Sequence, residues 1–522
     1  MSRSWARLVA FATVSVLAAL VLAACGGDDD EAADTGTTST TEQANIPARA
    51  VVAQGVDPTT MDPQNQRETT TVNVLRHLYD PLLDRDGADP TKFNPVLATS
   101  WKQVDATTWE FTLRDGVTFS GGERFDAETA AYNVRRVAGL LEGQEPPLLS
   151  FQFESIKGAE AVDPTTLRIT TKYPDPLFLG RMSALMMVPS EAGKDLASTP
   201  NGTGPYELVR WNRNNEVVMK AKPSYALGAA KVKDVVFKTM PDASARLAAI
   251  QTGDVDVITN VPPDNIADVE SGGNATVQSV PSARVASIWL NTLDNEALKK
   301  KQVRQALNHA VDKQAIVENV MSGYATPVAT FAPDYFVGHT DDLEPYAFDQ
   351  DRAKTLLAEA GYPNGFPLTL MVPRGRYLLA EEVVQAVVDQ LGDVGVDAKI
   401  QAVEFGVFAK ATQERKIPDA FYAAWGNAFF DSLDELQVAV LTGTKGFSWY
   451  SNKAVDAKIK AAAEAASAET HEQALQDAER LIYDDPAFIY LFAYKDIYGV
   501  SDELPWKPRR DEQIYLYEVG AS

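Results

Sequence analysis

The chain has 522 residues, of which 45% are hydrophobic, and its 48 basic and 72 acidic side chains give a net charge of -24. A single hydrophobic core rarely grows beyond about 250–300 residues, so this length predicts two or three lobes. The acidic balance excludes a nucleic-acid partner from our expectations, because phosphates need a positive surface. One cysteine, Cys25, excludes an intrachain disulfide.

The first 24 residues have the layout of an export signal peptide. Arg3 and Arg7 precede an almost unbroken apolar run at 8–22, which is a targeting segment and not a core helix. The run ends in Leu22-Ala23-Ala24-Cys25, which resembles the bacterial lipobox. The resemblance implies cleavage before Cys25 and attachment of diacylglycerol to its thiol. The alternative is a plain secretory signal with an incidental cysteine.

Residues 25–45 are predicted to be a disordered tether. The stretch from Gly26 to Asn45 has no large apolar residue and many Asp, Thr and Gly residues. Such a composition cannot bury enough surface to offset its ordering entropy. No later stretch is apolar for long enough to span a bilayer. We therefore expect a soluble globule that begins near Ile46 and is held at the outer face of the cytoplasmic membrane by the lipid.

The early part of the globule reads mainly as strands and hairpins. Apolar and polar residues alternate over 108–114, Asp115-Gly116 makes a turn, and the alternation resumes at Val117 and Phe119. A second hairpin is predicted from Tyr206–Trp211 and Val217–Lys220 around Asn214-Asn215.

Later segments are richer in helix. Asp242 is a predicted N-cap for a helix that Gly253 ends, and 255–258 then reads as a strand. Apolar stripes at 303–311 and 380–391 have helical spacing. Thr470 with Gln473 resembles a capping box before a helix that runs to about Tyr483. Mixed strands and helices over this length predict an α/β class with lobes.

Seven short sequence blocks follow one another along the chain. They are DPTTMDP at 57–63, LYDPLL at 78–83, PVLATSW at 95–101, FTLRDGVTF at 111–119, GTGPY at 202–206, VRQAL with AVD at 303–312, and AKTLLAEAGY at 353–362. In this order they resemble blocks of the family 5 extracellular solute-binding proteins, the receptors for peptides, nickel chelates and related solutes. Any one block is weak evidence, but the ordered set is specific.

The resemblance implies a two-lobed periplasmic-binding-protein-like fold of the class II (cluster C) type, with an extra subdomain in the first lobe. We expect the first lobe at 46–80, 204–283 and 495–522, the extra subdomain at 81–203 and the second lobe at 284–494. Hinge strands would cross near Arg284 and Lys495. The lobes would close on a solute by hinge motion.

The implied function is that of a monomeric receptor that delivers a solute to ABC permease subunits and their ATPases. A short peptide is the first expectation for the ligand, and a peptide-like conjugate such as a glutathione-like compound, an opine or a chelated metal remain open. A binding protein that reports to a sensor also remains open.

The resemblance further implies candidate ligand contacts. Relatives carry a tryptophan and then an acidic residue where this chain has Trp425 and Asn427, and an arginine for a carboxylate near Arg374 and Arg376, between which the alignment does not choose. Each candidate also has a structural interpretation as core or as a solvated loop. The candidates are Trp425, Asn427, Arg374, Arg376, Phe447, Trp449, Thr69 and Thr70.

No complete catalytic motif supports the alternative of a secreted hydrolase. His471-Glu472 starts like HExxH but ends in Leu475. Gly202-Thr203-Gly204 starts like a dinucleotide-binding loop but lacks the third glycine, and no G-x-S-x-G occurs. We therefore expect no catalytic residue, no cofactor and no metal site.

Overall fold

The computed structural model describes residues 46–87, 89, 91–190, 195–444 and 447–520. The predicted signal peptide, the tether and the lipid-accepting Cys25 lie outside these residues, so all three stay predictions. Within the described ranges, no helix has both the length and the apolar character that a membrane crossing requires.

The strands of the described residues are numbered in chain order. They are β1 (Arg49–Gln54), β2 (Leu83–Arg85), β3 (Phe93–Pro95), β4 (Ala98–Asp105), β5 (Thr108–Leu113), β6 (Ile156–Asp163), β7 (Thr166–Thr171), β8 (Tyr206–Asn212), β9 (Glu216–Ala221), β10 (Asp234–Thr239), β11 (Val257–Ile258), β12 (Ala275–Leu290), β13 (Ala325–Pro327), β14 (Pro367–Arg374), β15 (Asp397–Glu404), β16 (Ala420–Gly426) and β17 (Phe488–Ser501).

The helices are numbered in the same way, and a π-helical turn (Leu436–Val440) follows the eleventh. They are α1 (Thr69–Leu78), α2 (Ala127–Val137), α3 (Phe178–Ala184), α4 (Ala243–Thr252), α5 (Ile266–Ser271), α6 (Lys301–Ala310), α7 (Lys313–Asn319), α8 (Gln350–Glu359), α9 (Ala380–Asp393), α10 (Phe405–Gln413), α11 (Leu433–Glu435), α12 (Lys453–Ala463) and α13 (Ala468–Asp484).

One mixed sheet of 11 strands runs through most of the described chain. Its order is β15-β14-β16-β12-β17-β11-β1-β10-β9-β8, with β13 also paired to β17. We call the β11-β1-β10-β9-β8 part of this sheet, with its helices, the first lobe, and the β15-β14-β16 part, with its helices, the second lobe. The strands β12 and β17 are shared, because their two halves belong to different parts of the sheet.

The two shared strands change register at two places, between Pro281 and Val285 and between Ala286 and Ser287. Pro281 pairs with Lys495, but the next paired residues are Val285 and Ala493. The predicted crossings near Arg284 and Lys495 therefore lie at a break in the ladder, where a pair of long strands can bend. Hinge motion at this point stays a prediction.

A second sheet lies inside the segment predicted as an extra subdomain. Its order is β4-β5-β7-β6, and α2 packs on β6 and β7. The strand β5 pairs with β4 and β7, so the prediction that β5 and the stretch at 117–119 form a hairpin is wrong. Val117 and Phe119 are buried in the core of this subdomain instead.

The hydrophobic core is shared between the lobes. On one face of the main sheet a single cluster joins Val51 and Ile250 of the first lobe to Leu307 and Val383 of the second. The described residues from 46 onward form one compact unit. The mixed α/β class is as predicted, whereas the lobe boundaries stay predictions.

Local chemistry explains several element ends. Asp242 accepts a hydrogen bond from the amide of Ala245 and caps α4, and Gly253 ends this helix at φ 75°. The hairpin of β8 and β9 turns through Asn214 at φ 58°. The predicted capping box of α13, Thr470 with Gln473, is wrong by three residues. The reciprocal hydrogen bonds are made by Ser467 and Thr470.

Candidate functional site

A cavity of about 340 Å³ lies between the two lobes. The first lobe supplies the loop that joins β1 to α1, and the second lobe supplies the end of β16, the loop after β14 and one face of α10. Ligand pockets are commonly concave sites of about 300–1,000 Å³ with mostly apolar walls. We call this cavity the cleft. A smaller cavity of about 140 Å³ adjoins it and shares Arg67, Thr69, Trp425 and Gly426 with it.

The second-lobe wall of the cleft is aromatic. Phe421, Ala423 and Trp425 stand at every second position of β16 and line the cleft, because alternate strand residues share one face. Trp425 is half-buried, and its indole nitrogen donates to the carboxylate of Asp434 at 3.0 Å. The ring of Phe447 meets that of Trp425 edge to face at 5.5 Å. Such a wall offers apolar area with a fixed orientation.

Two arginines of this wall are already paired with carboxylates. The guanidinium of Arg284 donates to both carboxylate oxygens of Glu512, at 2.6 and 2.7 Å. Arg376 donates to Glu68, the residue that precedes α1, at 3.2 Å. Both residues are buried, with exposures of 6% for Arg284 and 7% for Arg376. Their charges are therefore neutralised by protein carboxylates before any ligand arrives.

The first-lobe wall contains an arginine of a different kind. Arg67 lines both cavities. It donates to the carbonyl oxygen of Leu148 at 3.1 and 3.3 Å. Its guanidinium carbon lies 4.7 Å from the ring centre of Phe151 and 5.1 Å from that of Phe447. Among the described residues, no carboxylate lies within ion-pairing distance of it.

A group of buried acids lies behind Trp425. Burial raises the pKa of Asp434, despite hydrogen bonds from Trp425 and from Gln152 at 3.2 Å. Burial likewise raises the pKa of Glu435 well above its usual range and that of Glu479 to about 7. Gln152 belongs to the predicted subdomain, so its hydrogen bond to Asp434 joins the cleft wall to that segment.

Four of the predicted ligand contacts line the cleft. These are Trp425, Arg376, Phe447 and Thr69. Thr70 lies beside them on a small cavity of about 40 Å³ at the shared strands. The structure thus brings these five side chains together from both lobes, although their roles toward a ligand stay predictions.

The other three predicted contacts lie elsewhere. Arg374 is exposed at the end of β14 and pairs with Glu381 at 3.4 Å. Asn427 is fully buried and donates to Glu435 and to the carbonyl oxygen of Asp431. Trp449 is 3% exposed and packs on Phe421 in the second-lobe core.

Several residues of the cleft were not among the predicted ligand contacts. Arg67, Tyr377, Phe405 and Phe408 all line the cleft. Residues 65–68 are polar and read as a solvated loop, so only the tertiary contacts of Arg67 single it out. No group of three or more His, Cys, Asp and Glu residues that could hold a metal ion occurs in the described part of the chain.

The sequence comparisons assign most of the chain to one family. A profile of the bacterial extracellular solute-binding proteins, family 5, matches residues 92–447. The glutathione-binding protein GsiB of Salmonella paratyphi A is 29% identical over 477 residues, which cover 87% of this chain and 90% of that protein.

Solved structures share the fold. The periplasmic binding protein DppA of Helicobacter pylori, in complex with the peptide STSA, superposes with a TM-score of 0.82 at 24% identity, covering 92% of this chain and 98% of that one. NikA of Staphylococcus aureus, in complex with Ni(L-His)2, has a TM-score of 0.80 at 20% identity, covering 90% and 99%. The predicted two-lobed periplasmic-binding-protein-like fold is confirmed.

Proposed function

Because this chain belongs to the bacterial extracellular solute-binding proteins, family 5, we propose that it captures a short peptide or a peptide-like compound outside the cytoplasm and delivers it to the permease of an ABC importer. The cleft supports this proposal, because both lobes line one cavity of about 340 Å³. A cavity of this size suits a small solute with a few polar groups.

Hinged closure is part of the proposal. Polar contacts join the two sides of the cleft, such as Arg376 with Glu68 at 3.2 Å and Gln152 with Asp434 at 3.2 Å. Closure would bury the solute and assemble from both lobes the surface that docks on the permease. A ligand shifts this equilibrium only through its extra affinity for the closed form.

Attachment to the membrane also belongs to the proposal. The tetrad at 22–25 supports lipid transfer to Cys25, and the polar stretch at 26–45 supports a tether between lipid and globule. One acyl chain anchors weakly, so stable attachment requires more than one chain. Mass spectrometry of the membrane-extracted protein tests this directly, because a diacylglyceryl mass on a peptide that begins at Cys25 is expected.

Native mass spectrometry of the protein as purified tests the capture function. We expect a noncovalently bound small molecule that is released unchanged on denaturation and binds again to the refolded protein. The proposal is rejected if the stripped protein binds no member of a dipeptide and tripeptide mixture, or if it converts the bound compound into a product at an appreciable rate.

A further inference from the structure

Arg67 differs from the other two arginines of the cleft, because no carboxylate of the described residues lies within ion-pairing distance of it. Arg67 is half-buried, and it lines both the 340 Å³ cavity and the adjoining 140 Å³ cavity. Burial lowers the pKa of Arg67, although the neighbouring charge of Glu68 opposes this effect. The carboxylate of Glu68 is bound to Arg376 at 3.2 Å. The nearest acidic side chain in sequence therefore forms its ion pair with a different arginine.

The contacts of Arg67 hold it in one orientation. The carbonyl oxygen of Leu148 accepts hydrogen bonds from Nε and Nη2 of Arg67. The ring centres of Phe151 and Phe447 lie 4.7 and 5.1 Å from its guanidinium carbon. A guanidinium has five N–H donors, so donors remain on the edge away from Leu148. A guanidinium held in this way loses little conformational entropy when it binds a planar anion.

We propose that Arg67 is the anion-binding residue of the cleft, and that the solute carries a free carboxylate. This inference rests on the proposed function and deepens it, because it names the chemical class of the ligand. A guanidinium fork binds a carboxylate through two parallel hydrogen bonds. A guanidinium without a carboxylate at ion-pairing distance among the described residues balances one negative charge, which favours a carboxylate over a phosphate dianion. The role that the sequence resemblance gave to Arg374 or Arg376 thereby passes to Arg67.

Paired peptide libraries test this assignment. The mature protein is stripped of bound solute and refolded. It is then offered a mixture of dipeptides and tripeptides without Asp or Glu, and separately the same peptides as C-terminal amides. Native mass spectrometry identifies the bound species, and calorimetry measures the best acid and amide pair. We expect the acid to bind roughly 10- to 100-fold more tightly than the amide, which is the usual effect of losing a hydrogen bond to a charged group.

Three variants locate the effect. Arg67→Gln is expected to bind the acid as weakly as the amide, and Arg67→Lys to keep part of the preference, because it keeps the charge but loses the fork. Arg352→Gln is the matched control, since Arg352 is an exposed arginine of α8 with no ion pair among the described residues. It should bind like the parent protein. Thermal unfolding midpoints establish that each variant is folded.

The outcomes separate the two proposals. Equal binding of acids and amides, or an undiminished preference in a folded Arg67→Gln variant, overturns the assignment of Arg67 and leaves the capture of peptide-like solutes standing. Binding of no peptide in either form rejects both proposals. If Arg67→Gln does not fold, the acid and the amide are compared on the parent protein and on Arg67→Lys. A smaller preference for the acid in Arg67→Lys supports the assignment, and an undiminished preference overturns it.

Discussion

The two walls of the cleft use charge differently. The second-lobe wall holds Arg284 and Arg376, and each is paired with a carboxylate. The first-lobe wall holds Arg67, which contacts a carbonyl and two aromatic rings and has no carboxylate at ion-pairing distance among the described residues. All three guanidinium groups line the same cavity. Position in the cleft alone therefore does not identify the arginine that is available to a ligand. The ion pairs that each arginine already makes distinguish them.

The largest expected effect is on stability, and it distinguishes a core tryptophan of the second lobe from one that lines the cleft. Trp449→Ala should lower the free energy of unfolding by about 3–5 kcal/mol, because Trp449 is 3% exposed and packs in the core. Trp425→Ala should instead weaken ligand binding with a smaller loss of stability, because Trp425 is half-buried and faces the cleft. Denaturant unfolding and calorimetry on both variants check this pair. Equal loss of affinity in both would remove the distinction.

A pH dependence tests the buried acids behind the aromatic wall. Burial raises the pKa of Glu479 from 4.5 to about 7. Between these values the folded protein keeps a proton that the unfolded chain has released, so stability should fall as the pH rises from 4.5 to 7 and stay lower above that. The loss from this group is about 3 kcal/mol.

Replacement of the acid isolates this contribution. Glu479→Gln should be less sensitive than the parent protein to a pH change from 5 to 8, as measured by thermal unfolding. Glu472→Gln, at an exposed position of the same helix, should keep the parent slope. If Glu479→Gln also keeps the parent slope, Glu479 is ionised in the folded protein at these pH values.

The smallest effect concerns the paired arginine. Glu68→Gln removes the partner of Arg376 and should make a second guanidinium available in the cleft. We expect the affinity ratio of Gly-Glu to Gly-Gln to rise about fivefold, on the order of 1 kcal/mol. Glu381→Gln releases the exposed Arg374 from its ion pair and is the control with no expected change. An unchanged ratio in Glu68→Gln would mean that Arg376 cannot reach the ligand.

Local sequence signals predicted much of the fold. The cap at Asp242, the left-handed Gly253 and the turn at Asn214 depend on neighbouring residues, so the sequence carries them directly. The resemblance to family 5 led to the segments around Trp425 and Phe447, both of which line the cleft. It did not show which side chains in those segments face the cavity.

Contacts between residues distant in sequence determine which of these side chains face the cavity. Asn427 turns inward because Glu435 and the carbonyl of Asp431 accept its amide. Arg67 is held by Leu148, 81 residues away, and by Phe447 of the second lobe. No local pattern in a polar stretch predicts that a residue is buried by partners so far along the chain.

A crystal structure of the protein with the tightest-binding peptide acid tests the central claim most directly. The account predicts a solute enclosed between the two lobes against the ring of Trp425, with one carboxylate within hydrogen-bond distance of the guanidinium of Arg67. A solute bound outside the cleft would contradict it, as would a carboxylate held by Arg376 while Arg67 still contacts only Leu148, Phe151 and Phe447.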